Sequence, residues 1–248
     1  LEREINSGKL QLSREDIELL TQLYNSEIYW TDYNLGILFN YLKNNNLYDN
    51  TWIILTADHG EMIYEHNKIG HPNSVLNEEL LHIPLIFKLP NQKGDAKVMD
   101  ELTSIIDIMP SILDYLDIES EQPLMGKSVI DLIDQTWIKK FFSKYFRKDK
   151  TVIVSEGRNR SVQIRSEKYK YIEQQNLELG SVTYNLFDLK KDPNEKVNIF
   201  DSKQNTVKKF QKKLSIWKEL TQSYYVKAKK REIKKDDLER LKALGYIK

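Results

Sequence analysis

Trp52 to Thr56 (WIILT) is a short apolar run that stops abruptly at Ala57-Asp58-His59-Gly60. No other junction constrains the fold as much. An uninterrupted apolar strand suits a sheet covered on both faces, and polar groups at the carboxyl end of such a strand sit where open α/β sheets bind ligands. Three of the chain's four histidines, His59, His66 and His71, lie between Trp52 and His71, together with Glu61, Glu65 and Lys68. That density of imidazole, carboxylate and ammonium groups implies a metal site or a site for a phosphate-like anion.

The flanking sequence supplies the elements for such a sheet. Residues 13 to 43 keep a period near 3.6 through Ile17, Leu20, Tyr24, Ile28, Thr31, Leu35, Leu38 and Leu42. Ser13 and Asp16 form a capping-box start, and Asn44-Asn45-Asn46 a stop. Ile83 to Phe87 is a second apolar strand, closed by Pro90. Asp107 is placed to cap a following helix, with Pro110 in its first turn and Ile112, Leu113 and Leu116 turned inward. Strand, loop, strand and helix fit the closing part of a doubly wound sheet.

After the loop Pro123 to Ser128 and the aromatic, basic stretch Trp137 to Lys150, the pattern changes. Thr151 to Ser155, Ser161 to Arg165, Lys168 to Ile172 and Ser181 to Asp188 read as short strands of a small antiparallel sheet. Val207, Phe210, Leu214, Trp217 and Thr221 make one face of a helix that could cover it. Asp237 to Leu244 reads as a short helix stopped by Gly245, and the lysine-rich run Lys227 to Lys235 as a solvated surface. The expected division is residues 1–135, an α/β catalytic portion, and 136–248, a small α+β subdomain.

Composition narrows the functional classes. A formal net charge of +1 gives no global reason to expect nucleic-acid or membrane binding. No apolar run approaches the roughly 20 residues of a membrane span. With no cysteine, the chain has no disulfide, no thiolate-bound zinc and no cysteine nucleophile of its own. Leu1-Glu2-Arg3-Glu4 shows no initiator methionine and no leader pattern, so the chain reads as a fragment that starts inside a longer protein.

Taken singly, the polar residues leave alternatives open. Asp58 and His59 suit a divalent cation, or else Asp58 caps the next segment and His59 packs locally. Glu61 neutralises or orients a neighbour. His66 and Lys68 fit a surface loop. His71, between Gly70 and Pro72, sits on a rigid turn that could aim a donor at an oxyanion or a leaving group. His82 at a strand entry is structural.

The ordered series of motifs narrows this. Thr56-Ala57-Asp58-His59-Gly60-Glu61, Glu65-His66, Gly70-His71 and Leu81-His82-Ile83-Pro84-Leu85-Ile86 resemble the C-terminal half of the type I sulfatases of the alkaline phosphatase superfamily. Ile106 to Leu113, Leu124-Met125-Gly126-Lys127-Ser128, Lys168-Tyr169-Lys170-Tyr171-Ile172, Asn185 to Leu189, Asp192-Pro193-Asn194-Glu195 and Arg240 to Tyr246 continue the resemblance in order. It implies the C-terminal part of an alkaline-phosphatase-like, doubly wound mixed sheet, followed by a small antiparallel sheet with a covering helix.

It further implies that Asp58 and His59 ligate one divalent cation, Ca²⁺ with Mg²⁺ or Mn²⁺ as alternatives. His71 would be the catalytic group, and His71 and Lys68 the substrate contacts. The family more often carries Lys at the position of His71. The family's formylglycine motif, C/S-x-P-x-R, and its two N-terminal metal-binding aspartates have no counterpart here. The expectation is therefore a sulfuric ester hydrolase whose formylglycine lies in an absent N-terminal part, with this chain alone inactive.

The substrate would be a sulfated small molecule or glycan. The chain would keep the N-terminal half as a noncovalent partner or else self-associate, because inner strands need covering and pairing. Two other functions compete. One is a phosphodiester or phosphonate hydrolase or phosphoethanolamine transferase of the same superfamily; the other is a non-catalytic sulfatase-like domain.

Overall fold

Ser13 begins the longest element. Its Oγ accepts the Asp16 amide at 3.1 Å while its own amide donates to Asp16 Oδ2 at 3.0 Å, the reciprocal bond pair of a capping box. A computed structural model describes residues 1–72, 75–92, 96–121, 123–130, 152–157, 161–176, 180–224 and 238–240. In it a short helix, α1 (Glu2–Asn6), precedes the capped helix α2 (Arg14–Asn44). Asn46, in the left-handed region at φ 57°, ends the helical path just past α2. Although α2 is amphipathic, none of its residues is buried. Leu23, Ile28, Tyr29, Trp30, Tyr33 and Ile37 all face solvent.

Strand β1 (Ile53–Thr56) pairs with β4 (Leu85–Lys88) in an antiparallel ladder running from Ile53↔Lys88 to Thr56↔Leu85. The uninterrupted apolar runs suggested a sheet covered on both faces, but among the described residues the ladder is two-stranded and half-buried, with Ile86 exposed. Apolar runs report the affinity of a strand for cover; they encode neither strand direction nor the neighbours that provide cover. Trp52 packs on Phe87 and on Tyr115 of α4 (Ile108–Tyr115), with ring centroids 6.0 and 4.7 Å apart.

Asp107 departs from its expected role. Its carboxylate does not cap α4. It accepts the Ser104 amide at 2.8 Å to close the preceding 3₁₀ turn, and the Lys127 amide at 2.8 Å. Buried at the root of α4, it ties the helix to the Leu124 to Ser128 loop. Gly126 is required there, because a Cβ would lie 1.9 Å from the Ile106 carbonyl oxygen. Leu116, expected inward, is exposed, since α4 has ended by then.

The second sheet is a meander of β5 (Ile153–Glu156), β6 (Val162–Arg165), β7 (Tyr169–Asn176) and β8 (Ser181–Asp188), antiparallel and in sequence order. Its strand β7 runs four residues beyond the expected Ile172, because Glu173 to Asn176 pair with Tyr184 to Ser181. The core holds Val162, Ile164, Tyr171, Ile172, Leu186 and Phe187. Leu76, before the short helix α3 (Glu78–Leu81), joins Ile172, Phe187 and Leu189 in one apolar cluster, with Leu81 against it. The segment leaving the His71 turn is thereby docked on the second sheet.

Helix α5 (Gln204–Tyr224) buries Val207, Phe210 and Leu214, the face its spacing suggested. The chain divides into two compact units, Leu1–Val207 and Lys208–Lys248. The expected boundary at residues 135/136, the Trp137 to Lys150 stretch and the Lys227 to Lys235 run lie outside the described residues, as does most of the 237–244 helix, of which 238–240 are helical. No described helix is long and apolar enough to cross a membrane.

Candidate active site

The apolar residues of β1 carry the chain to a sharp exit at Asp58-His59-Gly60. The Gly60 amide donates to the Leu80 carbonyl at 2.9 Å, fixing the exit turn on α3. A side chain at position 60 would place Cβ 2.0 Å from the Glu79 carbonyl oxygen, so only glycine lets the two backbones approach this closely. The turn then enters a two-residue hairpin, β2 (Met62–Ile63) with β3 (Ile69–Gly70), in the register Met62↔Gly70 and Ile63↔Ile69. Extending that register by one residue sets Glu61 opposite His71.

Both imidazoles have defined partners. His71 Nδ1 donates to Glu61 Oε1 at 2.7 Å, and His59 Nδ1 donates to the Gly60 carbonyl at 2.9 Å in the matching tautomers. The two rings lie 4.4 Å apart between centroids, inclined by 38°. The Asp58 carboxylate is 88% exposed, with Oδ1 accepting the His59 amide and Oδ2 3.8 Å from His59 Nε2. Asp58, His59, Glu61 and His71 thus converge at one strand end. A carboxylate beside an imidazole fits one side of a divalent-cation site. Two donors fall well short of the six to eight oxygens that Ca²⁺ takes.

The hairpin loop is held from outside the site. Tyr64, His66 and Asn67 all occupy the left-handed region, at φ 82°, 52° and 56°. The loop persists because its ends are tied: the Tyr64 amide donates to the Lys68 carbonyl at 2.8 Å, and the Leu12 amide to Tyr64 Oη at 3.2 Å. Asn6 of α1 bonds β3 in strand fashion, donating to the Ile69 carbonyl and accepting the Ile69 amide. Lys68 Nζ donates to the Asn6 carbonyl, so the structure engages it with α1. His66 Nε2 faces Glu79 Oε1 at 3.5 Å and Asn77 Nδ2 at 3.4 Å, behind the exit turn. His82 is exposed at the end of α3.

The sequence reading missed a buried charge cluster beneath this turn. Lys170 Nζ lies 3.0 Å from Glu78 Oε1 and 2.9 Å from Glu195 Oε1. Arg165 Nε sits 3.1 Å from Glu78 Oε2, and Glu195 Oε2 accepts the Glu78 amide at 2.8 Å. Two cations thus face two carboxylates. Alternation along β7 gave no signal for it, because Lys170 lies between Tyr169 and Tyr171 and its burial appears only in the structure.

Comparison with known proteins agrees with this architecture. Residues 7–118 match the family described as Sulfatase, and residues 67–224 match N-sulphoglucosamine sulphohydrolase, C-terminal. The chain belongs to the sulfatase family of the alkaline phosphatase superfamily. It is 30% identical over 203 residues to the multifunctional alkaline phosphatase superfamily protein PehA of Trinickia caryophylli, covering 76% of this chain and 38% of that protein. It is 29% identical over 192 residues to arylsulfatase K of Mus musculus, covering 76% and 34%. A solved structure, BT4656 in complex with its substrate D-glucosamine-2-N,6-O-disulfate, shares the fold with a TM-score of 0.61 at 23% identity, covering 82% of this chain and 41% of that one. The chain therefore spans little more than a third of the length of these curated relatives.

Proposed function

We propose that this chain supplies the C-terminal part of the active site of a sulfuric ester hydrolase. The supporting observation is the convergence of Asp58, His59 and His71 at the end of β1, with His71 oriented by Glu61 at 2.7 Å. Asp58 and His59 would hold one divalent cation, Ca²⁺ or alternatively Mg²⁺ or Mn²⁺, and the remaining ligands would come from an N-terminal part of the parent protein. Bound there, a divalent cation supplies Lewis-acid polarisation of sulfate oxygens.

With both ring nitrogens protonated, His71 binds a sulfate oxygen or protonates the leaving alcohol through Nε2, the ring nitrogen that Glu61 does not engage. Glu61 keeps the ring from turning away. Lys68 joins the substrate contacts only by releasing the Asn6 carbonyl. The nucleophile, a formylglycine in this reading, belongs to the N-terminal part. The substrate is a sulfated small molecule or glycan.

The test is hydrolysis of an aryl sulfate and of a sulfated glucosamine by the parent protein, with and without a chelator. Asp58→Ala and His59→Ala should abolish the turnover that the divalent cation supports, and His71→Ala should lower kcat at least tenfold. Turnover of phosphonate or phosphodiester but not sulfate would assign the chain to the phosphoryl-transfer branch. Absence of turnover together with absence of divalent-cation affinity would assign a non-catalytic domain.

A further inference from the structure

Two groups of histidine and carboxylate side chains among the described residues bring three ligand atoms within 4.8 Å of one another: His66, Glu79 and Glu195, and His59, Glu61 and His71. In the first group Glu195 is already neutralised by Lys170 at 2.9 Å, and that ammonium would repel a cation. The second group has no cation beside it among the described contacts, and its donors are open to solvent on one side.

We propose that His59, Glu61 and His71 form a binding site for a transition-metal dication of the Zn²⁺ class, complete within this chain. Two imidazoles and one carboxylate match the donor preference of Zn²⁺, Co²⁺ or Ni²⁺ and not that of Ca²⁺, which prefers oxygen alone. Donors on a tetrahedral zinc ion are roughly 3.3 Å apart, from bond lengths of about 2.0 Å. The three atoms already fall inside 4.8 Å, so small side-chain rotations suffice.

Two details of the turn support a ligand role. The Nδ1–H of His59 donates to the Gly60 carbonyl, which fixes the tautomer and leaves Nε2 as the ligand atom, the outer contact typical of metal-bound histidine. The Nδ1···Oε1 contact of 2.7 Å between His71 and Glu61 is one in which a dication can replace the shared proton. Asp58 is not in the set, while His59 belongs to both this site and the Asp58–His59 pair of the sulfatase reading, so the two sites compete for that imidazole. The proposal rests on that reading in one respect. With His at position 71 where the family more often has Lys, a loaded dication restores positive charge at the place where sulfate would bind.

The experiment is a titration of Zn²⁺ and Co²⁺ into the full 248-residue chain against a chromophoric chelator, with histidine ¹⁵N spectra recorded alongside. One equivalent should bind, with Co²⁺ giving a low-coordinate absorption spectrum and metal-induced shifts at His59 and His71 but not at His66 and His82. His71→Lys should weaken Zn²⁺ binding at least tenfold, Glu61→Ala similarly, and Asp58→Ala less than about twofold, each at unchanged far-UV circular dichroism.

Zn²⁺ affinity unchanged in His71→Lys, or shifts confined to His66 and His82, would overturn the proposal. The ¹⁵N assignment decides even where a variant fails to fold. The two readings fail separately, with Ca²⁺ affinity measured on the parent protein: Ca²⁺ affinity lost there in Asp58→Asn with no specific Zn²⁺ binding by the chain refutes the transition-metal site alone. Ca²⁺ affinity of the parent protein indifferent to Asp58, with Zn²⁺ lost in His71→Lys, refutes the sulfatase-type cation pair alone.

Discussion

Lys170 Nζ and Glu195 Oε1 meet at 2.9 Å with both side chains fully shielded from solvent. Removing one member of such a pair strands the other, at a cost of about 3–5 kcal/mol. Lys170→Met should therefore lower the urea midpoint sharply. Glu195→Gln, which keeps an acceptor for the Glu78 amide, should cost less than Glu195→Ala. Equilibrium unfolding followed by tyrosine and tryptophan fluorescence checks the order.

Gly60→Ala should destabilise the exit turn, because Cβ would sit 2.0 Å from a backbone oxygen that has no freedom to rotate away. Overpacking of this kind costs about 1–3 kcal/mol. Hydrogen exchange should show the loss concentrated at the Gly60 amide and in α3. An Ala variant as protected as the wild type would show that the close approach is not required.

Hydrogen bonds from Ser13 hold the Asp16 carboxyl below its ordinary value of 3.8. A depressed folded-state value contributes stability above 3.8 that is lost as pH falls through the folded-state value. The α2 contribution to far-UV circular dichroism should accordingly stay constant from neutral pH to about 4 and decline below it. Ser13→Ala should cost about 1 kcal/mol and flatten that decline.

The exposed stripe of α2 predicts association. Trp30 and Tyr33 stack at 5.7 Å on the solvent side of a helix that buries nothing. Exposed apolar area of that extent marks an interaction surface. Sedimentation of the isolated chain should show self-association that Trp30→Glu with Tyr33→Lys abolishes, unless an N-terminal part of the parent protein is supplied to cover the stripe. A wild-type chain that sediments as a monomer would remove this expectation.

Periodicity and capping chemistry made α2 legible from Ser13 onward, and the abrupt end of WIILT at Asp58 located the site. Both signals are local. The Glu61–His71 contact depends on a hairpin register set by only two residue pairs, which leaves too little pattern to read. The antiparallel direction of β1 and β4 was hidden because apolar runs carry no polarity. Asp107 looks like a helix cap in sequence because it precedes Ile108, yet its partners are Ser104 and Lys127. The lysine of β7 was legible as a strand residue but neither as buried nor as paired, since its partners Glu78 and Glu195 are themselves 117 residues apart.

The bond from the Glu78 amide to Glu195 begins the helix whose last turn, through Leu80, receives the Gly60 amide. The far sheet and the histidine turn therefore share one strut, four residues long. A lesion in β7, remote from any ligand, would then present as weakened cation binding in a chain that still melts cooperatively. Loss-of-function variants clustered around Lys170 would be misfiled as folding defects unless affinity were measured too.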